Sequence, residues 1–228
     1  MADLQALADA LIKGDRSTVV KLTQEALAGG VKPEEVLYKG LVAGMDVIGR
    51  RFKANEVYVP EVLIAARAMK GGMEILEPKL KAAGVKPAGT VVLGTVKGDL
   101  HDIGKNLVGM MLTGGGLKVV DIGIDVAPEK FVEACKTSGA QVCAMSALLT
   151  TTMPQMAHVV KALKDAGVKV KTIIGGAPVT QNYANEIGAD GFAPDAASAV
   201  DVTKTLIACW QSGGRCRISS ARDRSVTR

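Results

Sequence analysis

The stretch TVVLGTVKGDLHDIGKN, residues 90–106, holds the strand, the loop and the helix start from which the fold can be worked out. Residues 90–96 are an apolar, β-rich run, which predicts a buried strand. The following GDLHDIG is polar and rich in glycine, and a helix-length segment begins near residue 103. A strand that leads through such a loop into a helix is the repeating unit of a parallel sheet with helices on its faces.

The same unit recurs through the second part of the chain. Further apolar runs lie at 118–124, 142–149, 170–174 and 190–193, and helix-length segments lie near 128–138, 153–166, 179–187 and 196–209. This alternation predicts an α/β domain with a doubly wound (Rossmann-like), five-stranded parallel sheet in the flavodoxin-like strand order 2-1-3-4-5. Strands one, three and four are neighbours in that order, so a ligand site is expected where their carboxyl ends meet.

Residues 1 to about 82 have helical periodicity instead. Apolar residues recur at steps of three and four in two long stripes, with a break around Asn55 and Pro60. The stripes are Leu37, Leu41, Met45, Ile48 and Phe52, then Val62, Ala66, Met69, Met73 and Leu76. With two shorter segments before them, they predict an N-terminal four-helix bundle. The predicted domains are the bundle at 1–83, a linker at 84–90, the sheet domain at 91–211 and a disordered basic tail at 212–228.

Charge and hydropathy exclude several classes of protein. The net charge is +5, but residues 212–228 carry five arginines and one aspartate, a net +4, so the rest of the chain is near +1. This distribution argues against a nucleic-acid-binding surface. No apolar run reaches the roughly 18 residues that a membrane-spanning helix needs, and the N-terminus lacks the features of a signal peptide. We therefore expect no nucleic-acid partner, no membrane association and a cytoplasmic location.

The polar residues that follow the predicted strands suggest a metal bound in an unusual way. The chain has two histidines, and His101 falls in the loop after strand one, two residues beyond Asp99. A bare zinc or iron ion needs three or four protein ligands, whereas a metal already held in a macrocycle needs only one axial ligand. Asp99 can accept a hydrogen bond from one ring nitrogen and so strengthen the other nitrogen as a metal ligand. Ser146, at the end of strand three, can extend this series of hydrogen bonds. The glycines at the end of strand four, Gly175 and Gly176, would let the backbone approach an elongated ligand closely.

The spacing of these residues resembles the cobalamin-binding signature D-x-H-x-x-G, then S-x-L, then G-G. The matching positions, with spacers of 41 residues (105–145) and 26 residues (149–174), are Asp99, His101, Gly104, Ser146, Leu148, Gly175 and Gly176. Seven defined positions at these spacings are far more specific than any single motif.

The helical part resembles the cap domain of corrinoid methyltransferase proteins. The resemblance lies in IGRRFKANEVYVPEVLIAARAM, residues 48–69, where Val59 departs from the family's usual sequence of an aromatic residue, leucine and proline. A cap followed by a cobalamin-binding domain is the arrangement found within methionine synthase. Without a third domain it is similar to the stand-alone corrinoid proteins of methanogens and acetogens. The resemblance covers about residues 1–209.

This resemblance implies a cofactor and a set of partners. The cofactor would be cobalamin, bound base-off and His-on with His101 as the axial ligand, and alternating between methylcobalamin and cob(I)alamin. Asp99 and Ser146 would take up the proton that accompanies release of the imidazole. The chain would be a methyl carrier in a cobalamin-dependent methyltransferase system rather than a stand-alone catalyst. Its partners would be a substrate-specific methyltransferase, a second methyltransferase that transfers the methyl group to coenzyme M or tetrahydrofolate, and a reductive activase.

The resemblance also implies which residues contact the cofactor in three places: the loop, the slot for the dimethylbenzimidazole tail, and the bundle above the corrin ring. They are Gly98, Asp99, Leu100, His101, Asp102, Ile103 and Gly104 in the loop; Ser146, Leu148, Thr150, Gly175, Gly176 and Ala177 along the slot; and Tyr58, Leu63, Ala66 and Met69 on the bundle.

Two other cobalamin-dependent functions remain alternatives. An adenosylcobalamin-binding mutase subunit is disfavoured by the helical cap, and a cobalamin-dependent sensor or regulator is disfavoured because no DNA-binding domain is evident. Phosphate-binding functions fit less well. Gly98 and Gly104 enclose five residues where a P-loop has four, and Lys105 is followed by Asn106 rather than serine or threonine.

Overall fold

The structure, a computed structural model, describes residues 3–212. These residues form two compact units, one made of the chain up to residue 88 with 110–118, the other of 89–109 with the chain from 119 onward. The tail predicted at 212–228 lies outside the described residues, apart from Ser212. Within residues 3–212, no helix is both long and apolar enough to cross a membrane.

The chain before residue 88 is helical. Its elements are α1 (Leu4–Ile12), α2 (Arg16–Ala28), α3 (Pro33–Glu35), a π-helical segment (Val36–Val42), α4 (Ala43–Lys53) and α5 (Val59–Ala82). Because α3, the π-helical segment and α4 follow without a break, they act as one long helix with a wider turn in its middle. Within the described residues, this long helix with α1, α2 and α5 forms the predicted four-helix bundle.

Side chains at the helix ends explain where these helices start and stop. Asp3 and Asp15 precede α1 and α2, and each carboxylate accepts hydrogen bonds from backbone N–H groups of the first turn. The break before α5 contains Asn55 in a left-handed conformation (φ 57°), and Pro60 follows in the first turn of α5, where the missing N–H costs nothing.

The chain after residue 88 contains the sheet. Its strands are β1 (Thr90–Thr95), β2 (Lys118–Asp121), β3 (Val142–Ser146), β4 (Lys171–Gly175) and β5 (Gly191–Ala193), and the helices are α6 (Ile103–Gly114), α7 (Pro128–Ser138), α8 (Gln155–Asp165), α9 (Gln181–Ile187) and α10 (Ala196–Gln211). The strand order is β2-β1-β3-β4-β5, and β1, β3, β4 and β5 pair in parallel. The predicted fold class and strand order are therefore confirmed.

The register of the central strands determines where a site can form. Thr95, Ser146 and Gly175 are the last residues of β1, β3 and β4, and they lie side by side on adjacent strands. On one face of the sheet, a core around the fully buried Phe131 and Met156 holds α7 and α8 in place. The loops that leave these three strands consequently emerge together at one edge, over a tightly packed base.

Candidate functional site

The loop that carries His101 connects β1 to α6. It turns at Gly98, whose φ of 81° favours glycine, and the buried hydroxyl of Thr95 donates a hydrogen bond to the His101 carbonyl at 2.9 Å. The backbone N–H of His101 donates to Asp99 Oδ1 at 3.1 Å. The backbone of His101 is thus fixed from both sides.

The carboxylate of Asp99 sets the protonation of the imidazole ring. Its Oδ1 lies 2.8 Å from His101 Nδ1, and Asp99 is fully buried. An ionised carboxylate only accepts hydrogen bonds, so Nδ1 must carry the proton. In the neutral ring this leaves the lone pair on Nε2, which is the nitrogen able to bind a metal.

The second oxygen of Asp99 is held by the turn that follows β3. Oδ2 accepts hydrogen bonds from the backbone N–H of Leu148 at 2.7 Å and from the hydroxyl of Thr152 at 2.7 Å, with a longer contact of 3.4 Å to the N–H of Leu149. The hydrogen bond expected from Ser146 comes instead from Thr152. Ser146 belongs to the strand itself, whereas the turn after it wraps around the carboxylate. Within residues 3–212 the structure shows no side-chain hydrogen bond for Ser146.

These hydrogen bonds decide the charge of Asp99. Burial raises the pKa of the carboxyl, but hydrogen bonds from Thr152, Leu148 and His101 outweigh burial and hold the pKa well below its usual range. Asp99 is therefore ionised at neutral pH, as the proton assignment on His101 requires.

A second turn, after β2, braces the same loop from the other side. Asp125 has a left-handed backbone (φ 52°); its carboxylate accepts a hydrogen bond from Gly98 N–H at 2.7 Å, and its N–H donates to the Asp99 carbonyl at 3.0 Å. In the first turn of α6 the buried Lys105 forms an ion pair with Asp121, whose carboxylate also accepts from Gly123 N–H at 2.9 Å.

Sequence reasoning missed Thr152, Asp125 and the Lys105–Asp121 pair. One signal was available for Asp125: an aspartate directly after a glycine and an isoleucine is suited to a turn, because aspartate tolerates positive φ. No comparable signal identifies Thr152, since it is one of three consecutive threonines.

The surroundings of the imidazole suit a metal within a large, mostly apolar group. The His101 side chain is 50% exposed, and no residue between 3 and 212 hydrogen-bonds to its Nε2. Large apolar side chains at this edge are exposed as well, although contact with water is unfavourable for them. They are Leu100, Ile103, Leu148 and Leu149. At Gly104 an added Cβ would meet nothing within 4 Å, so the approach is open.

The described residues provide no alternative metal site. Among residues 3–212, no group of three or more His, Cys, Asp or Glu side chains is arranged to hold a metal ion. A single free imidazole nitrogen beside exposed apolar side chains fits a metal that brings its own equatorial ligands, as the corrin ring of cobalamin does.

The glycine pair at the end of β4 is required by the protein's own packing. Gly176 has a φ of 133°, and a Cβ there would lie 1.9 Å from the Ala147 carbonyl oxygen; a Cβ on Gly175 would lie 3.0 Å from the Ala193 carbonyl oxygen. The space beside these two glycines, which was expected to admit a ligand, is therefore occupied by neighbouring backbone. Gly176, with Ala177 and Thr150, is exposed at the same edge.

The other expected contact residues are spread over both units. Asp102 is exposed, and its carboxylate accepts a hydrogen bond from the Asn106 side chain at 3.0 Å. On the bundle, Tyr58 and Leu63 are 64% and 37% exposed, whereas Ala66 and Met69 are 8% and 2% exposed. As the structure stands, Tyr58 and Leu63 are the more accessible of these four.

Known proteins resemble this chain over most of its length. Two family models, each described as a B12 binding domain, match residues 3–77 and 89–201. The chain is 42% identical over 203 residues to trimethylamine corrinoid protein 1 of Methanosarcina acetivorans, covering 87% of this chain and 94% of that protein.

Two solved structures are also similar. A cobalamin-binding protein from Desulfitobacterium hafniense matches with a TM-score of 0.76 and 31% identity, over 90% of this chain and 99% of that one. The methanol:cobalamin methyltransferase complex MtaBC of Methanosarcina barkeri contains a chain that matches with a TM-score of 0.80 and 32% identity, over 90% of this chain and 79% of that one.

Proposed function

This chain belongs to the corrinoid protein family and binds cobalamin, and we propose that it works as a methyl carrier. It accepts a methyl group from a methylated small molecule through a partner methyltransferase. It passes that group to a second methyltransferase, which transfers it to coenzyme M or tetrahydrofolate. The observation that supports this proposal most directly is the Asp99–His101 pair, which leaves Nε2 of His101 free at the exposed edge of the sheet.

In this proposal the cofactor is held base-off and His-on. His101 would bind the cobalt of cobalamin through Nε2, because Asp99 keeps the proton on Nδ1. When bound, cobalamin supplies a cobalt atom that takes up and releases a methyl group. Leu100 and Ile103 would lie against the ring system and keep water from the metal.

The remaining contacts are proposed from the family resemblance. The loop residues Gly98, Asp102 and Gly104 would follow the corrin edge. The slot for the dimethylbenzimidazole tail would be lined by Ser146, Leu148, Thr150, Gly175, Gly176 and Ala177. The upper face would be covered by Tyr58, Leu63, Ala66 and Met69. Asp99 would take up the proton that accompanies release of the imidazole, and Thr152, rather than the expected Ser146, is the hydroxyl that contacts Asp99 for that exchange.

The methyl donor depends on the partner rather than on this chain. One relative is named for trimethylamine, and a similar structure is a complex named for methanol. We therefore propose a methylated amine or an alcohol as donor. A reductive activase, a cytoplasmic location and the lack of a nucleic-acid partner stay predictions.

Reconstitution tests the binding part of the proposal. Purified protein is incubated with hydroxocobalamin under reducing conditions and desalted, beside His101→Ala and the control His158→Ala, which changes an exposed histidine on α8. Wild type and the control should stay coloured with the same visible spectrum, and His101→Ala should lose cofactor and show a different spectrum. Colourless wild-type protein would contradict the proposal.

Methyl transfer is tested separately with the loaded protein. Isotope-labelled trimethylamine or methanol is supplied together with the corresponding methyltransferase, and label is followed into the protein fraction and then into coenzyme M or tetrahydrofolate. Transfer that requires both the cofactor and His101 supports a carrier. Absence of label with every donor, from protein that retains cobalamin, would favour the mutase or sensor alternatives.

A further inference from the structure

Thr152 lies in the turn between β3 and α8, and it is 7% exposed. Its hydroxyl oxygen is 2.7 Å from Asp99 Oδ2 and 3.0 Å from the Leu149 carbonyl oxygen. We propose that Thr152 is the positioning residue for His101: its hydroxyl fixes the carboxylate that in turn fixes the imidazole. This inference rests on the proposed role of His101 as the cobalt ligand.

The hydroxyl has one hydrogen and two possible acceptors. A hydrogen bond to an ionised carboxylate is about twice as strong as one to a neutral carbonyl, and the distance to Asp99 is also the shorter one. The Thr152 hydroxyl therefore donates its hydrogen to Asp99 Oδ2. Together with the N–H of Leu148 at 2.7 Å, Thr152 gives Oδ2 two short hydrogen bonds from one turn.

These two bonds determine the direction of the whole carboxylate. The group is planar and rigid, so fixing Oδ2 also fixes Oδ1, which accepts from His101 Nδ1. Without the hydroxyl, the nearest replacement donor is the N–H of Leu149, now 3.4 Å from Oδ2. Turning the carboxylate toward that amide moves Oδ1 relative to the ring, and the imidazole loses its fixed orientation.

Ser146 is the residue that the sequence pattern favours for this task. In the structure it is half-buried, and Thr152 holds the position on Asp99. Loss of a group that supports a metal-ligating histidine typically weakens metal binding by about 10- to 100-fold. Thr152 acts through Asp99, so an effect near the lower end, about tenfold, is expected.

The test compares variants that differ in the hydroxyl alone. Thr152→Val keeps the shape without the hydroxyl, and Thr152→Ala and Thr152→Ser form a pair that differs only in that group. Thr151→Val changes an exposed neighbour as control. Two quantities are measured: the exchangeable Nδ1 proton of His101 in the apoprotein by NMR, and the rate at which loaded protein loses cobalamin.

Thr152→Val should broaden or remove the Nδ1 proton signal and speed cofactor loss about tenfold. Thr152→Ser and Thr151→Val should behave as wild type. If Thr152→Val does not fold, the alanine and serine variants must differ in the same way. The inference is overturned if the variants lacking the hydroxyl match wild type, or if Ser146→Ala has the larger effect on both measurements. Wild-type protein that never retains cobalamin would instead overturn the proposed function, while the NMR comparison on apoprotein would still judge Thr152.

Discussion

Replacing Asp99 with asparagine keeps the shape of the side chain but removes its charge and one acceptor. The carboxylate accepts short hydrogen bonds from His101 Nδ1 (2.8 Å), Leu148 N–H (2.7 Å) and the Thr152 hydroxyl (2.7 Å). An amide offers only one accepting oxygen. If that oxygen faces His101, the amide nitrogen faces Leu148, and a partly buried backbone N–H loses its partner.

The cost can be worked out from these contacts. An unpaired buried donor costs roughly 1–3 kcal/mol. The bonds to His101 and Thr152 change from charge-assisted to neutral, at about 1 kcal/mol each. The free energy of unfolding should therefore fall by about 3–5 kcal/mol, a large part of the roughly 5–15 kcal/mol that stabilises a typical domain.

Urea unfolding of the apoprotein, followed by circular dichroism, measures this loss. The matched control is Asp102→Asn, because Asp102 is exposed and its carboxylate accepts an exposed hydrogen bond from the Asn106 side chain. Asp99→Asn should lower the midpoint strongly, and Asp102→Asn should stay within about 0.5 kcal/mol of wild type. Equal stability of the two variants would refute the view that this carboxylate holds the loop together.

Three further substitutions test the fold, one at the edge of the site and two at other helices. Gly176→Ala should destabilise the protein by about 3 kcal/mol, because of its φ of 133° and the backbone contact, whereas Gly139→Ala, at φ 62° in open space, should cost about 1 kcal/mol; equal losses in thermal unfolding would contradict this. Thr203→Val should raise the free energy of unfolding by about 1 kcal/mol, since the buried hydroxyl has no partner within residues 3–212. A lower free energy of unfolding, measured by urea denaturation, would contradict this. Hydrogen bonds from Thr18 and Ser17 lower the pKa of Asp15 from 3.8 to about 2. The stabilising charge of Asp15 is therefore present above pH 4 and is lost as the pH falls toward 2. Asp15→Asn should therefore flatten the dependence of melting temperature on pH in that range, and an unchanged slope would argue against the lowered pKa.

The strand order could be predicted because it depends on features that a sequence displays. Apolar runs separated by helix-length segments imply parallel pairing, and five such units favour the flavodoxin-like order. The ends of two strands were predicted too late. β2 stops at Asp121 rather than at 124, and β3 stops at Ser146 rather than at 149, although the residues that follow are apolar. In both cases the chain leaves the sheet to hold the loop that carries His101.

The site was predictable as far as local spacing reaches. Asp99 and His101 are two residues apart, and their hydrogen bond forms within one loop. Thr152 lies 53 residues from Asp99, and its contact depends on the exact path of the turn after β3, which no pattern in the sequence encodes. The same holds for Asp125, whose contact with Gly98 joins two loops on neighbouring strands.

The central claim, that His101 binds cobalt, is tested most directly by electron paramagnetic resonance of the cob(II)alamin-loaded protein. A coordinated nitrogen splits the cobalt lines into triplets when it is ¹⁴N and into doublets when it is ¹⁵N. Protein grown with ¹⁵N-histidine should show doublets, in wild type and in His158→Gln alike. Triplets in the labelled protein would mean that the cofactor's own base remains on the metal, and would contradict the account.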